Sequence, residues 1–119
     1  MLALGAQAAW LGTRFLMARE MPIHEDYRRR LVAAAETDPQ WYPNLYDVGW
    51  PDSPHRALRN STAAAWEAGE AIVRYEGAPP MIGTTGDIEA LSMWAGQSVA
   101  LARQAQSAAD IVTELISRL

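Results

Sequence analysis

The sequence predicts an α/β segment that is mostly α-helical and carries a single strand near its N-terminus. The apolar run over residues 7–12 does not alternate with polar residues, which is typical of a parallel strand covered on both faces. Helix-like periodicity dominates residues 24–119, and a length of 119 residues fits one small domain. One strand cannot satisfy its own backbone hydrogen bonds. We therefore expect it to pair with another copy or chain, or to be a piece of a larger fold.

The elements near the N-terminus are predicted from glycine and proline positions. Residues 1–6 are typical of the end of a helix that stops at Gly5. Residues 13–20 follow the strand as a helix start or an irregular turn, and Pro22 ends it. Residues 24–36 then have the periodicity of an amphipathic helix.

The segment over residues 37–50 is predicted to be a loop rich in aromatic rings. It contains two prolines, Asn44 and Gly49 between the flanking helices. Its aromatic side chains are Trp41, Tyr42, Tyr46 and Trp50. We expect the loop to lie over the core of its own chain, and the alternative is a contact surface for a partner.

Three further helices are predicted after this loop. Asp52-Ser53-Pro54 is typical of a helix start, and the helix is expected to continue to Ala68. A second helix is predicted over residues 87–104, after a Gly/Pro-rich connector at residues 77–86. Its apolar stripe comprises Ile88, Leu91, Ala95, Val99 and Ala102. Ser107 is predicted to cap the last helix, whose apolar face extends to Leu119.

Composition excludes several classes of function. The formal net charge of −4 argues against nucleic-acid binding, since a phosphate backbone demands dense positive charge. All ten basic residues are arginine, so the chain holds no Schiff-base or phosphate-loop lysine. The absence of cysteine excludes disulfides, thiolate catalysis and cysteine metal sites. Neither metal-ligand spacing nor a pair of catalytic carboxylates is found, so no catalytic and no metal residue is predicted.

The N-terminal apolar run does not predict export or membrane insertion. No basic residue precedes Arg14, whereas a secretory signal needs a positive n-region. The run is also far shorter than the ~20 residues of a membrane span. We therefore expect a cytoplasmic protein.

Gly12-Thr13, directly after the predicted strand, is a candidate phosphate-binding turn. Glycine lets a backbone approach an anion closely, and threonine offers a hydroxyl and an N–H. A helix start after the turn would add partial positive charge. Such turns are common, however, so the motif alone leaves a plain strand end open as the alternative.

Three stretches in order resemble the nitronate monooxygenases, the FMN enzymes once called 2-nitropropane dioxygenases. "LALGAQAAWLGTRFL" resembles the last barrel strand of that family, and the resemblance continues through "DVGWPDSPHRALRNST" and "GTTGDIEALSMWAGQSVAL". It covers essentially the whole chain. The resemblance implies the C-terminal part of a TIM (β/α)8 barrel, with the last strand at residues 7–12 and a helical region at residues 24–119.

The resemblance also implies which residues bind FMN: Trp10, Leu11, Gly12, Thr13, Gln97 and Ser98. Gly12 and Thr13 would make most of the phosphate contacts. Gln97 would approach a flavin edge from mid-helix, or else be solvated while Gly96 packs between helices. Arg14 is expected to pair with a carboxylate such as Glu20, and Trp94 is expected to be a core residue.

Two parts of a complete enzyme of that family have no counterpart in this sequence. They are the Gly-Gly phosphate loop after strand seven and the active-site histidine in the middle of the barrel. His24 and His55 match neither motif, and His55 is expected in the first turn of a helix. We therefore expect the isolated chain to be incomplete for catalysis, as the product of a truncated reading frame, a split gene or a misplaced start codon would be.

Three functions follow from these patterns. The resemblance implies oxidation of an alkyl nitronate by FMN and O2 to a carbonyl compound and nitrite. The alternative on the same barrel is an FMN-dependent enoyl-acyl-carrier-protein reductase, which also needs an NAD(P)H site. The third is a non-catalytic helical fragment that associates with itself or with the missing barrel part through residues 41–50 or the strand.

Overall fold

Helices and one β-hairpin form the regular structure of the chain, for which a computed structural model describes residues 2–69 and 77–117. The α-helices are α1 (Thr13–Leu16), α2 (Glu25–Ala33), α3 (Ser61–Glu67) and α4 (Ala108–Ile116), and the strands are β1 (Pro39–Tyr42) and β2 (His55–Leu58). Short 3₁₀ turns occupy Leu2–Leu4, Ile88–Ala90 and Gln97–Leu101. In the described ranges, every helix is too short or too polar to traverse a lipid bilayer.

Helix α2 confirms the helix predicted over residues 24–36, although it ends earlier, at Ala33. His24 caps it, because Nδ1 of His24 accepts a hydrogen bond from the Asp26 N–H at 3.1 Å. Tyr27 and Leu31 form the buried face. Two acidic side chains in the first turn favour the same start.

The helix predicted from Asp52 is wrong over its first half, which forms a hairpin instead. β1 and β2 pair antiparallel, with Pro39 opposite Leu58 and Tyr42 opposite His55. Asp52 lies in the connecting turn at φ +58°, a left-handed conformation that a helix start does not use. The Asp-Ser-Pro signal therefore marks a turn into β2 rather than a helix cap.

The helix itself begins later, as α3. Asn60 is its cap, since Oδ1 of Asn60 accepts a hydrogen bond from the Ala63 N–H at 2.9 Å. Nδ2 of Asn60 also donates to the Leu91 carbonyl at 2.8 Å. The cap thus joins the start of α3 to a segment thirty residues further along the chain.

The helix predicted over residues 87–104 is wrong. Two 3₁₀ turns flank an extended stretch, residues 91–96, which we call the edge segment. The Leu58 N–H donates to the Met93 carbonyl at 2.8 Å, and the Ala95 N–H donates to the Arg56 carbonyl at 3.1 Å. The edge segment therefore lies along β2 like a short third strand.

Two clusters of buried side chains form the core. The main cluster joins α2, β2 and the edge segment and contains Met17, Ile23, Tyr27, Leu31, Ala34, Leu58, Ile88, Met93, Ala95, Val99 and Ala102. The second contains Tyr42, Leu45, Tyr46, Ala57 and Ala63. The aromatic loop thus lies on its own core through Tyr42 and Tyr46, as predicted, whereas Trp41 and Trp50 are exposed.

Residues 7–12 are not a buried strand in this chain. No strand is formed there, and Trp10 is 100% exposed. Within the described residues the strands are β1 and β2, which pair with each other. Neither strand forms backbone hydrogen bonds with residues 7–12. The segment is also not helical, and its assignment as a barrel strand stays a prediction.

Helix α4 confirms the predicted cap at Ser107, whose Oγ accepts a hydrogen bond from the Asp110 N–H at 3.0 Å. Arg14 pairs with a carboxylate, as predicted, but its partner is Glu114 at 3.3 Å rather than Glu20. Glu20 instead accepts from the N–H of Ala108. Leu119, the predicted end of the apolar face, lies outside the described residues.

Two buried tyrosines offer a matched test of the core. Tyr27 donates to the Trp94 carbonyl, whereas the Tyr42 hydroxyl is buried without a hydrogen-bond partner in the described parts of the chain. We expect Tyr27→Phe to lower the free energy of unfolding at pH 7 by about 1–2 kcal/mol, because it removes the hydrogen bond to the half-buried Trp94 carbonyl. Tyr42→Phe should change it by less than about 0.5 kcal/mol, since no such bond is lost. Urea unfolding of both variants measures the difference, and equal losses would contradict it.

Tyr42 also predicts how the stability of the chain changes at alkaline pH. Burial, with a smaller contribution from the Glu67 charge, raises the pKa of Tyr42 from 10 to about 12. The folded state therefore holds this proton more tightly than the unfolded state, and its stabilising effect is complete below pH 10 and fades between pH 10 and 12. Tyr42→Phe should make the unfolding free energy fall less steeply over that interval.

Candidate functional site

A cleft opens between the start of α1 and the edge segment. Its volume is about 550 Å³, and its lining is mostly apolar. Leu11, Gly12 and Thr13 form one side, and Trp94 and Gly96 form the other. We call it the Gly12–Gly96 cleft.

A hydrogen bond joins the two sides of this cleft. The Gly96 N–H donates to Oγ1 of Thr13 at 2.9 Å, across 83 positions of sequence. Because the hydroxyl accepts in this bond, its own proton stays available for donation to a ligand. The structure therefore brings the Gly-Thr motif and the Trp-Ala-Gly-Gln-Ser motif together, as joint binding of one cofactor requires.

Gly12 leaves space for a ligand to approach the backbone. A Cβ built at Gly12 would have no atom within 4 Å, and Gly12 is exposed. The N–H groups of Gly12 and Thr13 have no acceptor among residues 2–69 and 77–117. Two free N–H groups and a hydroxyl proton are the donors that a phosphate needs, so these residues fit the phosphate end of FMN.

Of the other residues predicted to bind FMN, only Leu11 lines the Gly12–Gly96 cleft. Leu11 lines the cleft, but Trp10 points away from the described chain and is fully exposed. Gln97 and Ser98 are exposed at the start of the 3₁₀ turn that follows Gly96. They are not in mid-helix as predicted, because Gly96 is extended (φ −85°, ψ 169°). Roles for Trp10, Gln97 and Ser98 stay predictions.

Two arginines near the cleft have different surroundings. Arg14 donates to the side chains of Gln106 and Glu114 and to the Gln104 carbonyl, so it binds the C-terminal part of the chain. Arg56 lines the cleft, and sequence reasoning missed it. Arg56 could have been identified only if strand β2 had been predicted. In a strand over residues 55–58, successive side chains point to opposite faces, so Arg56 points away from the face on which Ala57 is buried.

A second cavity of about 330 Å³ lies on the other side of Trp94. Tyr46, Trp50 and His55 line it together with the indole of Trp94, which is 39% exposed and so only partly a core residue. His55 is not in the first turn of a helix but at the start of β2, 6.3 Å from Trp94 between ring centroids. Its Nδ1 lies 3.2 Å from the Ser53 carbonyl, which fixes the ring against the turn.

Solved structures show the fold that this arrangement belongs to. FabK from Thermotoga maritima has a TM-score of 0.66 with 24% sequence identity, over 98% of this chain and 38% of that one. A mutant of the same protein gives a TM-score of 0.68 over 98% of this chain and 34% of that one. The chain is therefore a small α/β fragment of the kind found in part of a TIM barrel.

Sequence comparisons identify the family. Curated relatives include a nitronate monooxygenase of Paraburkholderia phytofirmans, 33% identical over 96% of this chain and 32% of its own length. The nitronate monooxygenase npaC of Metarhizium robertsii is 33% identical over 95% of this chain and 35% of its own length. The chain thus spans about a third of the length of these relatives. Since the family model for nitronate monooxygenase also matches residues 1–118, the chain belongs to the nitronate monooxygenase family.

Proposed function

We propose that this chain contributes the phosphate-binding end of an FMN site in a nitronate monooxygenase. The reaction would be oxidation of an alkyl nitronate by O2 to a carbonyl compound and nitrite. The hydrogen bond between Thr13 and Gly96 carries the proposal, because it holds two family motifs at the mouth of one cleft. A cytoplasmic location is part of the proposal.

The residues of the chain have separate roles in this site. Gly12 and Thr13 would bind the phosphate through backbone N–H groups and the free hydroxyl proton. Trp94 would be an apolar wall of the cleft, where its indole excludes water from one side. FMN would supply the redox chemistry when bound, and this chain orients it.

The first experiment measures FMN and riboflavin binding to the chain by quenching of flavin fluorescence. FMN should bind about tenfold or more tightly than riboflavin, since charge-assisted hydrogen bonds to the phosphate favour FMN. Equal affinity for the two flavins, or no binding of either, would contradict the proposal.

A second candidate function is reduction of enoyl groups on an acyl-carrier protein. The observation in its favour is the fold similarity to FabK, which represents a related FMN-dependent family. Nitrite release from propionate 3-nitronate supports the monooxygenase. Oxidation of NAD(P)H that depends on an enoyl-acyl-carrier protein supports the reductase.

The N-terminal segment supports a partner in either case. The fully exposed Trp10 and the exposed Leu4 and Leu11 make residues 4–11 an apolar stretch without regular backbone pairing. Such a stretch favours association with a second copy or with the rest of a barrel. Light scattering of the purified chain measures directly whether it associates with a second copy.

A further inference from the structure

We propose that Arg56 is an oxyanion-binding residue of the Gly12–Gly96 cleft and that its ligand is a phosphate monoester. The inference rests on the proposed FMN function and adds a cationic group to a site so far built from backbone N–H groups and one hydroxyl. Arg56 is not among the residues that the family resemblance implies.

The guanidinium of Arg56 has no hydrogen-bond or ion-pair partner among the described residues. Most arginines of the described chain donate to a carboxylate or a backbone carbonyl: Arg14, Arg28, Arg29, Arg30, Arg59 and Arg103. Among the described residues, only the guanidinium groups of Arg56 and Arg19 have no hydrogen bond or ion pair. Both side chains are exposed, but Arg56 lines the cleft whereas Arg19 does not.

The backbone of Arg56 is held firmly although its side chain is free. Its carbonyl accepts the Ala95 N–H at 3.1 Å, and it lies opposite Trp41 in the hairpin. Successive strand residues point to opposite faces, and its neighbour Ala57 is fully buried. Arg56 is therefore directed to the cleft face of β2, toward the space that Gly12 and Thr13 border.

The charge of the cleft favours an anion. Its described lining contains no acidic residue, so no carboxylate of the cleft neutralises Arg56. Most of the other described arginines are paired, and the net charge of the whole chain is −4. The exposed guanidinium of Arg56 has no partner among the described residues, so it is free to donate charge-assisted hydrogen bonds to an oxyanion.

A phosphate monoester fits this set of donors better than a nitronate does. The guanidinium can donate two parallel hydrogen bonds, and Gly12 and Thr13 add backbone N–H groups and a hydroxyl. A phosphate monoester has three terminal oxygens that can accept from these groups, whereas a nitronate group has two oxygens. Both are oxyanions, so the test must separate them.

The test is a titration of the isotope-labelled chain followed by NMR, with inorganic phosphate, FMN, riboflavin and propionate 3-nitronate as probes. Phosphate and FMN should shift the Arg56 Nε–H signal and the Gly12 and Thr13 N–H signals together, with one dissociation constant. Riboflavin should leave the Arg56 signal in place. Arg56→Gln should weaken phosphate binding about tenfold, while the matched control Arg19→Gln should change it less than twofold.

Several results would overturn the inference. A silent Arg56 signal, or an unchanged dissociation constant in Arg56→Gln, excludes Arg56 from the site. A response of Arg56 to the nitronate but not to phosphate refutes the phosphate assignment. If FMN shifts Gly12 and Thr13 without Arg56, the inference fails and the FMN function stands. If phosphate shifts all three residues but FMN binds no more tightly than phosphate, Arg56 stands and the FMN function fails.

Discussion

Gly12→Val is expected to weaken FMN binding on the order of 100-fold while leaving thermal stability unchanged, because the new side chain occupies only ligand space. A Cβ at Gly12 meets no atom within 4 Å, and its φ of −101° is open to any L residue. The fold therefore tolerates the substitution. A phosphate bound to the N–H groups of Gly12 and Thr13 would clash with the valine methyl groups. Flavin fluorescence quenching and thermal unfolding of the same sample measure the two effects.

The control is Ala9→Val, which adds comparable bulk to the same exposed segment outside the cleft. It should bind FMN as the original chain does, and Gly12→Ala should be intermediate. Unchanged FMN affinity in Gly12→Val would show that the phosphate does not bind at Gly12. A large drop in melting temperature would show instead that Gly12 has a structural role.

The cap of the last helix was predictable from sequence because it is local. Ser107 caps α4 by accepting the N–H of Asp110, so both participants lie within four residues. This interaction does not depend on distant parts of the chain. Helix α4 accordingly begins where its cap predicts, whereas the caps at His24 and Asn60 were not predicted.

The prediction of a helix over residues 87–104 was wrong because two different backbone arrangements bury the same apolar positions. Ile88, Ala95 and Val99 are all buried, as the stripe requires. Two 3₁₀ turns and the edge segment bury the same positions, and backbone pairing with β2 decides between the arrangements. That pairing is non-local, so spacing within the segment does not reveal it.

The hairpin was missed for the same reason. Asp52-Ser53-Pro54 satisfies the local rules for a helix start, yet the residues that follow pair with Pro39–Tyr42. With β2 unrecognised, neither face of the strand could be assigned, and Arg56 remained one arginine among ten. The candidate residues Gly12 and Thr13, in contrast, were suggested by the local Gly-Thr turn and then supported by the family resemblance, which carries information about the three-dimensional site that periodicity lacks.

Met93→Ala is expected to lower the free energy of unfolding by about 3 kcal/mol, the usual loss for a fully buried methionine. The Met93 side chain is fully buried in the main core cluster, and its carbonyl accepts the Leu58 N–H at 2.8 Å. The substitution leaves this backbone bond but opens a cavity beneath the edge segment. Urea unfolding measures the loss, and a change below about 1 kcal/mol would contradict the packing described for Met93.

The same substitution tests whether the core positions the cleft. Trp94 follows Met93 directly, Gly96 lies three positions after it, and both form one side of the cleft. Loosening of the edge segment should therefore weaken the bond between Gly96 and Thr13. FMN affinity should then fall in Met93→Ala although no cleft residue has changed. Ile82→Ala is the control, since Ile82 is 75% exposed and its truncation should change stability by less than about 0.5 kcal/mol. Unaltered FMN affinity in a clearly destabilised Met93→Ala would show that α1, rather than the edge segment, positions the ligand.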